Sequence, residues 1–255
     1  ALQGRRIISD VNGKYCDMTG GEPRTGQIPL DQEGSPRFNH YNSDSFWGAQ
    51  WTLNTLWHLV YPEISEEFVN SMLLMYEDGG LIPRGPSGGN YTYVMTGASS
   101  TPFIVSAYMS GIRGFNVEKA YEGMRRNAMP GGMMGKAGYE HYTDIGGGLA
   151  HYLDRRYVPY PLPKGPHGYH NEGAGQTLEY AYQDWCLAQL ALALGKDDDY
   201  RMFMLRSGNY RNVWDAGSAW MRPRQADDTW LEPFNPIESH HGFVESTAAQ
   251  STWFV

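Results

Sequence analysis

Hydrophobic residues recur at helical spacing along most of this chain, and strict alternation of apolar and polar residues is nowhere pronounced. The clearest helical stretch, TLEYAYQDWCLAQLALALG, opens at Thr177 and ends at Gly195. Its second half is apolar on nearly every side, which predicts burial between neighbouring elements. The pattern predicts about seven helices, at residues 45–62, 66–79, 101–113, 116–127, 149–155, 177–195 and 199–214, and a further one that begins near Glu245.

Long segments rich in glycine and proline join these helices, at residues 79–97, 130–148 and 158–175. Loops of this length without periodicity are usually functional or disordered, and the tyrosines of the first one argue against disorder. Residues 1–40 are predicted to be irregular or short-stranded. An alternation of short and long loops is typical of stacked helical hairpins with their functional loops on one side. The chain is therefore predicted to be all-α.

Charge and composition argue against two classes of partner. The net charge is −8 and no basic cluster is longer than two residues, which predicts no nucleic-acid partner and no anionic membrane surface. No apolar run reaches the roughly 18 residues of a membrane-spanning helix. Eight Trp and eighteen Tyr suit a large core and also a cleft whose rings stack on sugars. Cys16 and Cys186 have no metal-site spacing, and the sequence leaves open whether they are bonded.

Carboxylates and aromatic rings are the chemistry that remains after other motifs are eliminated. The sequence has no G-x-x-x-x-G-K-[ST] phosphate-binding motif and no G-x-S-x-G nucleophile motif. Its histidines never fall at i, i+4 on a predicted helix, and the pair His240-His241 is better explained as part of a loop than as a zinc site. Paired carboxylates with aromatic side chains are the groups used in glycoside hydrolysis.

Glu245 is the candidate catalytic acid. It begins a run of small, apolar and aromatic residues within GFVESTAAQSTWFV. The neighbours Phe243, Val244, Ala248 and Trp253 predict apolar surroundings, which favour the protonated form that a general acid needs. The alternative is an acid in the first turn of a helix, where the helix dipole stabilises it without any catalytic role.

Four further residues are candidates for substrate binding or for structure. Glu179 and Asp184 lie about 140° apart on the predicted helix 177–195, which argues against one shared pocket. Glu179 lies in the first turn of this helix, next to the preceding loop, and is the candidate for a residue of a binding pocket. Asp184 lies deeper in the helix and is predicted to be a buried structural partner of a backbone group or an arginine. Arg84 can donate its fork of hydrogen bonds to sugar hydroxyls or to loop carbonyls. Trp47 can stack on a sugar ring or pack in the core.

Several runs, taken together, resemble one known family. The chain contains, in this order, SDSFWGAQWTLNTLWHLVYPE, MYEDGGLIPRGPSGGNYTYVMTG, TLEYAYQDWCLAQLALALGKDDDY, YRNVWD and GFVESTAAQSTWFV. These runs resemble the catalytic domain of glycoside hydrolase family 92, and the resemblance covers most of the chain from about residue 40 onward. Members of this family are calcium-dependent, inverting, exo-acting α-mannosidases.

The resemblance implies an incomplete (α/α)6 toroid of helical hairpins with long Gly/Pro-rich loops. Residues 1–40 are then an irregular segment or a linker from a missing preceding domain, and residues 41–255 a partial catalytic domain that is truncated at its C-terminus. Glu245 corresponds to the family's general acid, and Gln250 to the glutamine that follows it in the motif. The general base, in an Asn-Asp-Asp stretch, and most calcium ligands are expected outside this chain. Its metal-binding residues therefore stay unknown, and the chain alone is expected to be inactive.

Two motifs depart from the usual family pattern. Many members have a Trp-Asp pair and an arginine in the first helix, where this chain has Trp47-Gly48 and Trp51. The final motif has Ser246-Thr247 where a Gly-Asn pair is usual.

The resemblance also implies partners and a location. The partner would be a mannose-containing glycan, together with a missing β-sandwich domain and the missing C-terminal half of the toroid. The implied location is secreted, periplasmic or at the cell surface. Two alternatives remain open: a helical-toroid carbohydrate-binding protein without turnover, and a toroid hydrolase for a different sugar.

Overall fold

The structure is a computed structural model that describes residues 6–43, 46–85, 87–137, 148–162 and 172–252. Within these ranges the chain is mostly helical, as the hydrophobic pattern predicts, and its short strands form two-stranded antiparallel pairs. The helices are α1 Leu53–Val60, α2 Pro62–Gly79, α3 Ser100–Met109, α4 Val117–Asn127, α5 Met133–Lys136, α6 Leu149–Arg155, α7 Gly173–Ala193, α8 Asp197–Ser207 and α9 Ala248–Ser251. The strands are β1 Arg6–Ile7, β2 Lys14–Asp17, β3 Arg24–Gln27, β4 Tyr41–Asn42, β5 Trp214–Asp215 and β6 Trp220–Met221.

The chain divides into two compact units. The first unit contains Ala1–Thr92 and Ser99–Asn127, and the second contains Tyr93–Ala98 and Ala128–Val255. The first unit holds α1 to α4 with the four N-terminal strands, and the second holds α5 to α9. The division into a segment 1–40 and a catalytic domain that begins at residue 41 stays a prediction.

Aromatic side chains form the core of the first unit. Phe46 stacks on Phe103 with 4.3 Å between the ring centroids, and Trp57 stacks on Phe68 at 5.3 Å. Tyr41 stacks on the same Phe68 ring at 4.8 Å. These rings therefore join α1, α2 and α3 with the end of the N-terminal segment, and Trp57 is the buried apolar side chain that α1 contributes.

Two helices of the first unit begin elsewhere than the pattern predicts. The helix expected at 45–62 begins only at Leu53, after a short 3-10 turn, because Gly48 adopts a left-handed φ of 75° that breaks the helical path. α2 begins earlier than expected, at Pro62, since proline suits the first helical turn. It ends where Gly80 takes a left-handed φ of 81° and closes the helix.

The N-terminal part of the first unit contains short strands, in agreement with the prediction for residues 1–40. β2 pairs with β3 in a register that sets Tyr15 opposite Gly26 and Asp17 opposite Arg24. A Cβ atom at Gly26 would overlap the ring of Tyr15, so this position requires glycine. Tyr15 packs in turn against Ile28 and α2, which attaches the hairpin to the helices.

α7 is the central element of the second unit. It is 21 residues long and buried on most sides, as its apolar second half predicts. It begins one turn before Thr177, because the Thr177 hydroxyl donates to the Gly173 carbonyl at 2.7 Å and accepts from the Val158 N–H at 2.9 Å. Thr177 therefore lies within the helix, one turn after its start, where its hydroxyl bonds back to the preceding turn, and it does not cap the helix.

Asp184 lies fully buried within this unit. Its Oδ2 accepts hydrogen bonds from the Tyr152 hydroxyl and from Arg206 Nε, both at 2.9 Å. Arg206 also donates to the Ala128 carbonyl at 3.0 Å, so the guanidinium joins three parts of the unit. Burial raises the pKa of Asp184 to about 7, while the Arg206 charge acts in the opposite direction. The prediction that Asp184 is a buried structural partner of an arginine is confirmed.

Other parts of the second unit differ from the pattern. The short helix α5 occupies part of the predicted loop 130–148, where Met133 and Met134 are buried against the unit. α8 ends at Ser207 and continues as a 3-10 helix, Gly208–Val213. Cys16 and Cys186 are both free thiols. Within the described ranges, no helix combines the length and the apolar character needed to cross a membrane.

Candidate active site

Glu245 lies in a turn that precedes α9. Its side chain is exposed, and its backbone is in the left-handed region, with φ at 47°. A side-chain-bearing residue adopts this conformation rarely and more often at functional sites, although five other non-glycine residues in the described ranges also have positive φ. The expectation that Glu245 lies on a helix is wrong, because α9 begins only at Ala248.

A capping box sets the start of α9. The Thr247 side chain accepts a hydrogen bond from the Gln250 N–H at 3.2 Å, and Gln250 Oε1 accepts one from the Thr247 N–H at 3.0 Å. This reciprocal pair is a common way to satisfy the first N–H groups of a helix. Gln250, predicted to bind substrate, thus has a structural contact here, and its side chain is exposed. Its binding role stays a prediction.

The turn of Glu245 is attached to α7. The Gly242 carbonyl accepts a hydrogen bond from the N–H of Gly175, in the first turn of α7, at 2.9 Å. Gly242 has a φ of 80°, and a Cβ atom there would overlap the Pro223 ring, so this position requires glycine. Phe243 is 1% exposed and belongs to a cluster of buried residues, Tyr157, Ala174, Leu178, Val213, Met221, Phe243 and Ala248. The backbone that carries Glu245 therefore rests on a packed apolar core.

The apolar surroundings expected for Glu245 are not found among the described residues. Phe243, Val244 and Ala248 are buried, and Phe243 and Ala248 belong to the core cluster of the unit, while the Glu245 side chain is exposed. The reason is the turn, which directs neighbouring side chains to opposite sides. Trp253, also expected near this acid, lies outside the described residues.

Glu179 lies on α7, one helical turn beyond Gly175 and about 6 Å further along the helix axis. Its side chain is half-buried, and its Oε2 accepts a hydrogen bond from Gln183 Nε2 at 2.9 Å. The N–H of Gly175 donates the hydrogen bond that attaches the turn of Glu245, through the Gly242 carbonyl, to α7. The structure therefore brings the segments of two predicted site residues, Glu179 and Glu245, to the same end of α7.

Arg84 and Trp47 belong to the first unit. Arg84 is 1% exposed, and its carbonyl oxygen accepts a hydrogen bond from the Ser99 hydroxyl at 3.1 Å. Trp47 is half-buried directly before the left-handed Gly48. Neither side chain is fully exposed, and the sugar contacts expected of both stay predictions.

The described residues do not fit a calcium site made of side-chain carboxylates. Within their ranges, no group of three or more His, Cys, Asp or Glu side chains could hold a metal ion. His241 Nδ1 lies 3.2 Å from Glu238 Oε2 within the loop before Glu245. His141, His167 and His170 lie outside the described residues.

The whole chain, residues 1–255, matches the glycosyl hydrolase family 92 catalytic domain. The chain belongs to glycosyl hydrolase family 92. The resemblance inferred from the sequence motifs is thereby confirmed. No curated protein sequence matches the chain significantly.

Solved structures of family 92 enzymes are similar to nearly the whole chain. The GH92 alpha-mannosidase BT3965 from Bacteroides thetaiotaomicron is 28% identical with a TM-score of 0.80, and a structure of it in complex with mannoimidazole gives the same values. The inverting mannosidase BT2199 from the same species, strain VPI-5482, is 27% identical with a TM-score of 0.74. The matches cover 100% and 96% of this chain, but 31% and 30% of those enzymes. The chain thus spans about a third of the length of these family 92 relatives.

Two residues of the family 92 chain were missed by the sequence prediction. Thr247 could have been found, because Thr-x-x-Gln before a helical run is a capping-box signature. Gln183 follows Glu179 at i, i+4 on a strong helix, a spacing at which side chains meet. The second partner of Gln183, the backbone of Ala98, has no sequence signal, because the two residues are 85 positions apart.

Proposed function

We propose that this chain is part of a larger family 92 α-mannosidase, which hydrolyses terminal α-linked mannose with inversion of configuration. The observation that carries the proposal is the family match over all residues, including the motif around Glu245. The similar solved structures support it, since they are described as an alpha-mannosidase, its complex with mannoimidazole, and an inverting mannosidase.

Glu245 is the general acid in this proposal. It protonates the glycosidic oxygen, while a carboxylate outside this chain activates a water molecule on the opposite face of the sugar. The exposed side chain of Glu245 can be reached by a substrate oxygen, and the anchored turn beneath it supports a fixed geometry. Because a general acid is helped by apolar cover, the proposal requires that the rest of the enzyme, beyond this chain, contribute apolar surface near Glu245 when the sugar is bound.

The remaining parts of the proposal concern the fold and the binding groups. The helices are proposed to be part of an (α/α)6 toroid, which the similarity to family 92 structures supports. Calcium is proposed to bind through residues that lie largely outside this chain. Glu179 is proposed to bind a sugar hydroxyl, because it is half-buried at the end of α7 where the turn of Glu245 is attached. The burial of Arg84 favours its alternative role of holding the loop.

The test is the variant Glu245→Gln in the parent enzyme. We expect hydrolysis of an α-linked mannose disaccharide to fall about 10²–10⁴-fold, because the poor leaving group needs a proton, and hydrolysis of an activated aryl mannoside to fall less. Glu238→Gln, an exposed acid of the same loop, is the matched control and should leave both rates unchanged. Undiminished disaccharide hydrolysis by Glu245→Gln would refute the assignment.

Two further measurements test the rest of the reaction. The first-formed mannose should be the β-anomer by NMR, and release of the α-anomer would contradict inversion. The isolated chain should release no mannose, because the proposed general base lies outside it. Calcium-dependent release from the isolated chain would place the base within these residues.

One observation favours a second candidate, a sugar-binding protein without turnover. Glu245 is exposed, while Phe243, Val244 and Ala248 are buried. Calorimetric binding of mannobiose to the parent protein, with no mannose released over many hours, would support this candidate over hydrolysis.

A further inference from the structure

Gln183 lies between Glu179 and the segment Tyr93–Ala98. Its Nε2 donates to Glu179 Oε2 at 2.9 Å, and its Oε1 accepts a hydrogen bond from the Ala98 N–H at 2.8 Å. The Gln183 side chain is 2% exposed, so water competes little for either contact. All of these residues belong to the second unit.

These two contacts determine the direction of the Gln183 amide. A backbone N–H can only donate, so Ala98 requires the amide oxygen, and the NH2 group is then directed towards Glu179. Glu179 and Gln183 are also one helical turn apart on α7, a spacing that holds their side chains together. The Glu179 carboxylate therefore accepts a hydrogen bond from a donor that is fixed by both the helix and the segment Tyr93–Ala98.

Gly97 makes this arrangement possible. It has a φ of 73°, and a Cβ atom there would lie 2.5 Å from Gln183 Nε2 and displace the amide. Any other residue would also be strained in this backbone conformation. The segment Tyr93–Ala98 and Glu179 are thus coupled through one buried side chain.

We infer that Gln183 is a positioning residue, which holds the Glu179 carboxylate in the orientation that binds a hydroxyl of the sugar and couples it to the segment Tyr93–Ala98. This inference rests on the proposed function, which supplies the sugar. A carboxylate has about four acceptor positions, and the hydrogen bond from Gln183 occupies one of those on Oε2. A purely structural role would need only the contact with Ala98.

The experiment separates the two contacts of Gln183 in the parent enzyme. Gln183→Met removes both contacts at nearly constant volume. Gln183→Glu keeps an acceptor for the Ala98 N–H, but it removes the donor to Glu179 and sets a second carboxylate beside it. Gln189→Met, on the same helix, is the matched control. KM and kcat on an aryl α-mannoside are measured together with the melting temperature.

Both Gln183 variants should raise KM about tenfold, with a smaller change in kcat, because the lost hydrogen bond is to a charged group. Gln189→Met should keep the wild-type KM. Wild-type KM in Gln183→Glu would overturn the inference, since Gln183 would then serve only the segment Tyr93–Ala98. Because this outcome depends on Gln183→Glu, the inference stays testable even where Gln183→Met does not fold.

A double variant tests the contact itself. Glu179→Gln combined with Gln183→Glu restores one donor and one acceptor in exchanged positions, and it should regain the melting temperature lost in Gln183→Glu. Strictly additive effects would show that the two side chains do not interact and would overturn the inference. A wild-type parent that releases no mannose would refute the proposed function instead. In that case mannobiose affinity, measured by calorimetry, replaces KM and still decides the role of Gln183.

Discussion

Asp184 and Glu245 are two acids of the same unit with opposite surroundings. Asp184 is fully buried, and its carboxylate is held by Tyr152 and Arg206. Glu245 is exposed on a left-handed turn, whose backbone is bonded to Gly175 of α7. The protein therefore fixes the side chain of Asp184. At Glu245 it fixes the backbone and leaves the side chain accessible to a ligand.

This difference separates a carboxylate that is held inside the unit from one that a substrate could reach. A buried carboxylate with an arginine and a tyrosine has its partners inside the protein, so it holds helices together and has little left to offer a substrate. An exposed carboxylate on a packed turn contributes little to folding, yet its position is defined. Changes at Asp184 should therefore affect stability, and changes at Glu245 should affect turnover.

The largest expected effect on stability comes from breaking the Asp184 pair. Arg206→Met leaves the carboxylate without its cation and should lower the local unfolding free energy by about 3–5 kcal/mol. Amide hydrogen exchange of α7 and α8 in the parent protein measures this effect. Arg201→Met, at an exposed arginine of α8, and Glu245→Gln should each stay within about 0.5 kcal/mol of wild type. An equal loss in Glu245→Gln would remove the contrast between the two acids.

The pH dependence of stability should also distinguish Asp184. Burial raises its pKa from 3.8 to about 7, so its contribution to stability is complete below about pH 4 and is lost as pH rises through 7. Burial lowers the pKa of His40 and His58 from 6.5 to about 4, which increases stability as pH rises over much of the same range.

The difference between wild type and Asp184→Asn isolates the contribution of Asp184, since asparagine does not titrate. Hydrogen exchange of α7 at several pH values should show wild type losing stability relative to Asp184→Asn as pH rises from 4 to 7. A constant difference would show that the Asp184 proton has no influence on folding.

A smaller effect is expected from the turn that carries Glu245. Gly242→Ala should lower stability by about 1–3 kcal/mol, because the position has positive φ and a Cβ atom would overlap Pro223. Gly195→Ala is a matched control, since Gly195 has a φ of 70° with no atom within 4 Å of its Cβ position. Melting temperatures of the parent variants measure both. Equal losses would mean that the contact with Pro223 does not constrain the turn.

The smallest expected effect concerns the capping box that follows Glu245. Gln250→Ala should cost about 1 kcal/mol or less, whereas Gln250→Glu should keep the cap, since glutamate also occupies this position in capping boxes. Thermal unfolding of the two variants provides the comparison. If Gln250 also binds the sugar, Gln250→Glu should raise KM without changing the melting temperature, and unchanged KM would leave Gln250 with its structural role alone.

Local sequence signals predicted much of the helical content. α4 and α6 lie where the pattern predicts them, and Asn116 accepts a hydrogen bond from the Lys119 N–H at 3.0 Å at the start of α4. Such signals are reliable because period and cap lie within a few residues of one another. α5 escaped prediction, since its four residues are held by the burial of Met133 and Met134 and not by a local pattern.

By itself, the sequence identified the family and a candidate catalytic acid. The motif around Glu245 and the strong helix with Glu179 and Asp184 are properties of contiguous residues, and such runs can be recognised without a structure. The tertiary structure alone decided the surroundings of each acid. Exposure and hydrogen-bond partners depend on distant segments, such as Arg206 for Asp184, and Gly175 for the turn of Glu245. For this reason the sequence could identify Glu245 as a candidate acid, while only the fold showed that it stands on an anchored turn and not on a helix.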